Sequence, residues 1–383
     1  MIDLTRIQEH LAARLPEFLS DLEALVGIDC GTSNKPGVDR AAGWMRDRFA
    51  DWGWSVRHYP QARYGDCYYA TLAGRGAARV FLIGHSDTVY PEGTVMARPM
   101  RIEGDRILGP GASDMKSGLL VGLYAVRALQ ELGFDSFGEM GFFLNSEEEI
   151  GSPVSRSLYR PLARGAAAGL TLESARADGD IVSARKASGL GRIVVRGKAA
   201  HAGVEPEKGV NATLELAHQI VAAAALNGLA PGVTVSPGIV GGGIANNVVP
   251  EEAWAEFDLR AVDPAGVAAL DAAFDALPAR VKIPGASVSV TTAWAFPPMP
   301  KTPATARLVE RAQGIARTLG FELSDSATGG ASDANWLAAE GVPVLDGLGP
   351  IGGGDHSPGE YVELNSIVPR TALLAGLIAA IGE

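Results

Sequence analysis

Apolar positions recur along the chain at two spacings, and the switches between them mark out its elements. Leu4, Ile7, Leu11, Leu15, Phe18, Leu22 and Leu25 keep the three-to-four-residue period of an amphipathic helix, expected over residues 1–25. Residues 79–84 are instead a short apolar run of the kind a parallel sheet buries on both faces. Helical spacing returns over 118–132 and stops before Gly133, a residue suited to the left-handed position after a helix. Strand-like segments follow at 139–144 and 169–172. Strands alternating with helices predict an α/β domain with a mostly parallel sheet.

The middle of the chain has a different rhythm. A half-exposed strand is expected at 191–197, a helix at 211–226, strands at 233–236 and 253–260, a helix at 265–277 and a strand at 286–292. Strand, helix, strand, strand, helix, strand is the order of a ferredoxin-like α+β sandwich. The α/β pattern then resumes with a helix at 304–319, a strand at 343–345 and a final helix at 365–381. One α/β domain, residues 1–186 and 295–383, is thus interrupted by an α+β insertion, residues 187–294. Glycines 241–243 and 352–354 are expected in turns, and Trp44, Trp52 and Trp54 in core and helix-end packing. His10, His58 and His218 are expected as surface or packing residues.

Composition narrows the classes. With 47% hydrophobic and 20% charged residues the chain is of ordinary globular type. Its net charge of −11 leaves no broad basic face to neutralise phosphates, which argues against nucleic-acid binding. No run approaches the roughly 18 uninterrupted apolar residues of a membrane span. The first helix lacks the basic head, continuous apolar stretch and cleavage site of a signal peptide. Cys30 and Cys67 are too few for a disulfide framework and read as buried thiols, so a cytoplasmic location is expected.

Chemistry gathers where apolar strands end. His85-Ser86-Asp87 follows the first run, and Asp114 precedes the helix at 118. Glu147-Glu148-Glu149 follows the next strand, Glu173 the next, and Asp355-His356-Ser357 ends a glycine-rich loop near the last. Each alone has a plain structural explanation: a hydrogen-bonded loop pair, a helix N-cap, a solvated charge run, a surface histidine. Together they fall beyond the carboxyl ends of strands in an α/β sheet, where ligands bind. Imidazoles and carboxylates without cysteine suit zinc, with cobalt or manganese as substitutes. Three adjacent carboxylates are also costly to bury without a cation.

These residues carry a resemblance. Gly84-His85-Ser86-Asp87-Thr88-Val89-Tyr90-Pro91, Gly109-Pro110-Gly111-Ala112-Ser113-Asp114-Met115-Lys116-Ser117-Gly118 and Asn145-Ser146-Glu147-Glu148-Glu149-Ile150-Gly151-Ser152 resemble the co-catalytic dizinc aminoacylase/carboxypeptidase family. That family includes acetylornithine deacetylase, succinyl-diaminopimelate desuccinylase and glutamate carboxypeptidase. The last is nearest, through His85-Ser86-Asp87-Thr88-Val89-Tyr90-Pro91 and Lys198-Ala199-Ala200-His201-Ala202-Gly203. The resemblance runs through nearly the whole chain in order. It implies a zinc-exopeptidase-like catalytic domain, with the insertion as a lid and dimerisation domain that makes a homodimer.

Carried over by position, the resemblance implies two zinc ions per chain. His85 and Glu173 would hold one, Glu149 and His356 the other, with Asp114 bridging. Asp87 would orient His85 through its other ring nitrogen. Glu148 would be the general base, and His201, from a partner subunit's lid, would stabilise the oxyanion. Asn247 and Arg260 would bind the substrate carboxylate. The implied reaction is carboxypeptidase-type hydrolysis by a hydroxide shared between the zinc ions. It would cleave the amide of a C-terminal amino acid, glutamate being the candidate, from a small peptide or N-acyl amino acid. An N-acyl-amino-acid deacylase is the alternative, and a non-catalytic binding protein on the same fold the remote one.

Three features complicate the match. The family often has proline after the third-cluster glutamate, where this chain has Ser174. The glutamate triplet leaves a register open: base and ligand at Glu148 and Glu149, or a shift by one. Residues 293–300 are apolar with no evident cation, which weakens any inference of glutamate specificity.

Overall fold

The computed structural model describes residues 3–382, so Met1 and Ile2 of the first predicted helix, and Glu383, lie outside the described residues. The chain forms two compact units. One contains the chain up to Ser183, Lys301–Ala327 and the chain from Ser332 onward; the other contains Ala184–Pro300 with Thr328–Ala331.

The first unit is built on a six-stranded sheet in the order Ser55–Tyr59, Cys67–Ala73, Glu139–Asn145, Arg79–His85, Ala168–Thr171, Val344–Leu345. The first two junctions are antiparallel and the other three parallel. The apolar run at 79–84 is the strand Arg79–His85, which has parallel neighbours on both sides. Val80, Phe81, Leu82 and Ile83 are accordingly fully buried.

Helices Leu4–Val26, Ser117–Glu131 and Ile367–Gly382 supply much of the remaining core, through Ile7, Leu22, Leu120, Tyr124, Leu373 and Ile378. The helix Ser117–Glu131 is followed by Gly133 at φ +76°, the left-handed position its sequence predicts. The stretch Leu364–Gly382 is long and apolar enough to cross a bilayer, but 72% of its apolar window is buried inside the protein. Its hydrophobicity is that of a core helix. Periodicity did not reveal the helix Lys35–Asp51, which carries many charges; its start is capped by Asn34, whose side chain accepts from the Gly37 amide.

The second unit has a four-stranded antiparallel sheet in the order Thr234–Gly242, Glu252–Ala261, Ala187–Arg196, Ser287–Phe296. Helices Ala212–Ala224 and Pro264–Asp275 contribute Leu216, Leu270 and Phe274 to a core shared with Ile193, Val195, Phe257 and Leu259 of the sheet. Connection order and strand order together make this the ferredoxin-like arrangement. Both helices start as their sequences predict, with Asn211 and Asp263 accepting from the Leu214 and Gly266 amides.

Two expected turns are not turns. Gly241 and Gly242 continue the strand Thr234–Gly242, and Gly352–Gly353 pairs with Tyr361 and Val362. At Gly352 a Cβ would come 2.4 Å from Ser113 Oγ, so close approach rather than chain reversal explains the glycine.

Candidate metal centre

Glu139–Asn145, Arg79–His85 and Ala168–Thr171 are adjacent and parallel, so their carboxyl ends stand side by side. His85 is the last residue of its strand. Glu148 and Glu149 lie in the single 3-10 turn Glu148–Ile150 that follows Asn145, and Glu173 comes two residues after Thr171. Asp114 comes from the segment Ala112–Lys116 ahead of the helix Ser117–Glu131. It does not cap that helix: its φ is −116° and ψ 94°, its peptide bond to Met115 is cis, and the N-cap position is Lys116. His356 sits in the glycine-rich loop at φ +61°.

These groups meet around Asp114. His85 Nε2 lies 3.0 Å from Asp114 Oδ1 and 3.6 Å from Glu173 Oε1. His356 Nε2 lies 3.1 Å from Asp114 Oδ2 and 3.1 Å from Glu149 Oε2. The donors therefore divide into two sets, His85 with Glu173 and His356 with Glu149, one on each oxygen of Asp114. On the far side of the His85 ring, Nδ1 is 3.0 Å from the Asp87 carbonyl oxygen and 3.3 Å from Asp87 Oδ1.

The electrostatics match a cation site. Burial pushes Glu148 well above the usual carboxylate range, with Asp333, Glu173 and Glu149 adding to the rise and His85 opposing it. Burial likewise carries Glu149 up to about 7, although His356 donates to it. His356 is held at about 10 by Asp114 and Glu149. Burial would depress His85, but Asp114 and Asp87 outweigh it and hold the ring well above its ordinary value. Burial would raise Asp114, yet the two imidazoles keep it well below the usual range. The carboxylates thus use the two rings as counter-charges.

Glu149 Oε1 is buried without a hydrogen-bond partner, as is Glu147 Oε2 in the same triplet. Ligand atoms of His85, Asp114 and Glu149 all lie within 4.8 Å of one another. An imidazole–carboxylate set with an orphaned buried oxygen fits a divalent metal ion.

The glutamate triplet is separated by packing. Glu147 is fully buried, and its Oε1 accepts from the Val154 and Ser155 amides at 2.8 and 2.5 Å. Glu149 faces His356. The Glu148 and Glu149 amides donate to Asp87 Oδ1 and Oδ2, which also receives the Thr32 hydroxyl at 2.7 Å. Asp87 thereby holds both the His85 ring and the turn that carries the glutamates.

Two buried carboxylates near this centre were not singled out as site residues from the sequence. Asp333 accepts from Asn145 Nδ2 at 2.8 Å and Ser152 Oγ at 2.5 Å, while Ser332 Oγ accepts from the Ala334 amide. Glu360 accepts from the amides of the Asp114 segment. No signal in the sequence marked them as site residues, because a lone acid carries no spacing pattern.

His201, Asn247 and Arg260 belong to the second unit. His201 pairs with Val248 on the short antiparallel pair Ala200–His201 with Val248–Val249, and Asn247 precedes that strand, its carbonyl accepting from the Ala202 amide at 2.9 Å. Both are exposed. The Arg260 guanidinium is held by Asp258 at 2.8 Å and donates to the Gly329 carbonyl.

Comparison with known proteins places this geometry in context. Residues 81–380 match the model of "Peptidase family M20/M25/M40". The chain is 32% identical over 376 residues to carboxypeptidase G2 of Pseudomonas sp. (strain RS-16), covering 96% of this chain and 90% of that protein. It is 26% identical over 329 residues to succinyl-diaminopimelate desuccinylase of Cupriavidus taiwanensis, covering 80% of this chain and 82% of that one. The crystal structure of aminopeptidase PepT from Bacillus cereus superposes with a TM-score of 0.82 at 24% identity, covering 96% of this chain and 99% of that one. This last likeness is one of fold.

Proposed function

From the premise that this chain belongs to peptidase family M20/M25/M40, and so is a metal-dependent hydrolase, we propose that it is a carboxypeptidase-type enzyme using two zinc ions. It cleaves the amide that joins a C-terminal amino acid to a small peptide or acyl group. The observation that carries this reading is the placement of His85 and His356 on opposite oxygens of Asp114, each with its own glutamate.

In this reading His85 and Glu173 would hold one ion, His356 and Glu149 the other, and Asp114 would serve both. When bound, the ions supply Lewis acidity at the scissile carbonyl and lower the pKa of the attacking water. Glu148 is adjacent to a ligand; its carboxylate takes the proton from that water and returns it to the leaving nitrogen. Its elevated affinity for protons suits that exchange. Asp87 keeps Nδ1 of His85 engaged, so that Nε2 faces inward. His201, contributed by a partner subunit, would donate to the developing oxyanion, a contribution of roughly 3–4 kcal/mol for one such donor. Asn247 and the Arg260 fork hold the substrate carboxylate.

The similarity to carboxypeptidase G2 favours the carboxypeptidase form, and that to succinyl-diaminopimelate desuccinylases favours an N-acyl-amino-acid deacylase as second reading. A homodimer through the second unit belongs to the proposal, supported by Leu214 and Val221, apolar but exposed on the helix Ala212–Ala224. Cys30 and Cys67, both buried free thiols, support a reducing, cytoplasmic setting. The test is a panel of dipeptides and N-acyl amino acids assayed with zinc-loaded protein, alongside metal analysis. Turnover with two ions per chain is expected. Loss-free recovery of every panel member from fully loaded protein would overturn the proposal.

A further inference from the structure

Glu360 lies four residues beyond His356, and its carboxylate points back into the Asp114 segment. It is buried, 2% exposed, and receives four donors. Oε1 accepts from the Ser113 and Asp114 amides at 2.8 and 3.0 Å. Oε2 accepts from the Gly111 amide at 2.9 Å and the Tyr90 hydroxyl at 2.7 Å. The same hydroxyl lies 2.9 Å from the carbonyl oxygen of Ser357, the residue after His356. One carboxylate and one phenol thus tie together the two loops that bring Asp114 and His356 to each other.

We propose that Glu360 is a positioning residue that sets the affinity of the metal centre, holding the Asp114 segment directly and the His356 loop through Tyr90. It rests on the metal-centre reading above. Two features make a carboxylate necessary. All four partners are donors, and only an ionised carboxylate offers acceptors alone; a glutamine amide must turn its NH2 group toward an N–H or O–H. In addition, Asp114 is addressed by both histidines, so any displacement of its backbone disturbs both donor sets together. Outer partners that orient metal ligands are typically worth 10–100-fold in metal affinity.

The experiment is competition between the full-length protein and a chromophoric zinc chelator, for wild type, Glu360→Gln and Tyr90→Phe, together with the melting temperature of each metal-free protein. Glu360→Gln should weaken zinc binding by about tenfold or more. Tyr90→Phe, which removes one hydroxyl and nothing else, should weaken it by about fivefold. Zinc affinities within twofold of wild type would overturn the proposal, including the case where only the metal-free melting temperature falls, since that is a purely structural role. If Glu360→Gln does not fold, Tyr90→Phe decides by the same criterion. Wild-type protein that takes up no zinc overturns the metal reading and the clamp with it; normal wild-type uptake with unchanged variants overturns the clamp alone.

Discussion

Asp87 stands behind His85: its carbonyl oxygen is 3.0 Å from Nδ1, while Nε2 on the opposite edge of the ring is 3.0 Å from Asp114 Oδ1. The carboxylate of Asp87 lies 3.3 Å from Nδ1 and also receives the Glu148 and Glu149 amides, so its removal weakens the support of His85, which keeps the backbone carbonyl, and frees the turn that carries the glutamates. Asp87→Ala should reduce zinc affinity by roughly 10–100-fold, measured by chelator competition. Wild-type affinity would remove the Asp87 carboxylate from any supporting role.

Glu148 and Glu149 are neighbours with different assignments, and the difference is measurable. Glu148→Ala should retain its zinc and lose turnover by about 10²–10⁴-fold. Glu149→Ala should lose metal, because its carboxylate is the one facing His356. Glu147→Ala should chiefly reduce stability, since Glu147 holds the Val154 and Ser155 amides. Metal analysis of the three purified variants distinguishes this register from a shift by one.

Gly118 opens the helix that follows Asp114, and a Cβ there would lie 1.8 Å from the carbonyl oxygen of Leu172, next to Glu173. The helix and the strand end cannot both keep their places with alanine between them. Gly118→Ala should cost about 1–3 kcal/mol in urea unfolding, with lowered zinc occupancy. An unchanged urea midpoint would show that the helix slides without cost.

Acid stability should depend on Asp66. Burial works against its ionisation, but the Gln61 amide, Lys35 and His58 outweigh it and bring its pKa from 3.8 to about 2. A carboxyl whose pKa is depressed by folding stabilises the native state above its unfolded pKa. That contribution is lost as pH falls from about 4 through about 2. In urea titrations across this window the wild type should lose stability more steeply than Asp66→Asn. Parallel curves would assign the acid limb to other groups.

Much was legible in order along the chain. The run at 79–84 read as a strand buried on both faces, because consecutive Val80, Phe81, Leu82 and Ile83 leave no polar face and the run is short, and the structure buries all four. The polar clusters after such strands supplied the candidate metal donors, and the ferredoxin-like order of the middle segment followed from its alternating periods. The pairings among the site residues were not legible. Asp114 had the local signature of a helix cap, and only its backbone turn away from the helix directs it to two histidines 29 and 242 positions distant. His58 had no local partner in its pattern, yet it pairs with Asp66 at 2.6 Å and stacks on Tyr68.

Local periodicity and strand-end chemistry, then, are properties of the sequence itself, since they depend on neighbours a few residues apart. They determined many of the elements, the α/β frame with its inserted sandwich, and the candidate donors. Which of three consecutive glutamates meets His356, which carboxylate clamps the Asp114 segment, and why Gly118 must lack a side chain were decided by contacts across long chain separations. Those contacts exist only when the sheet has set its strand ends side by side and the loops have closed over them.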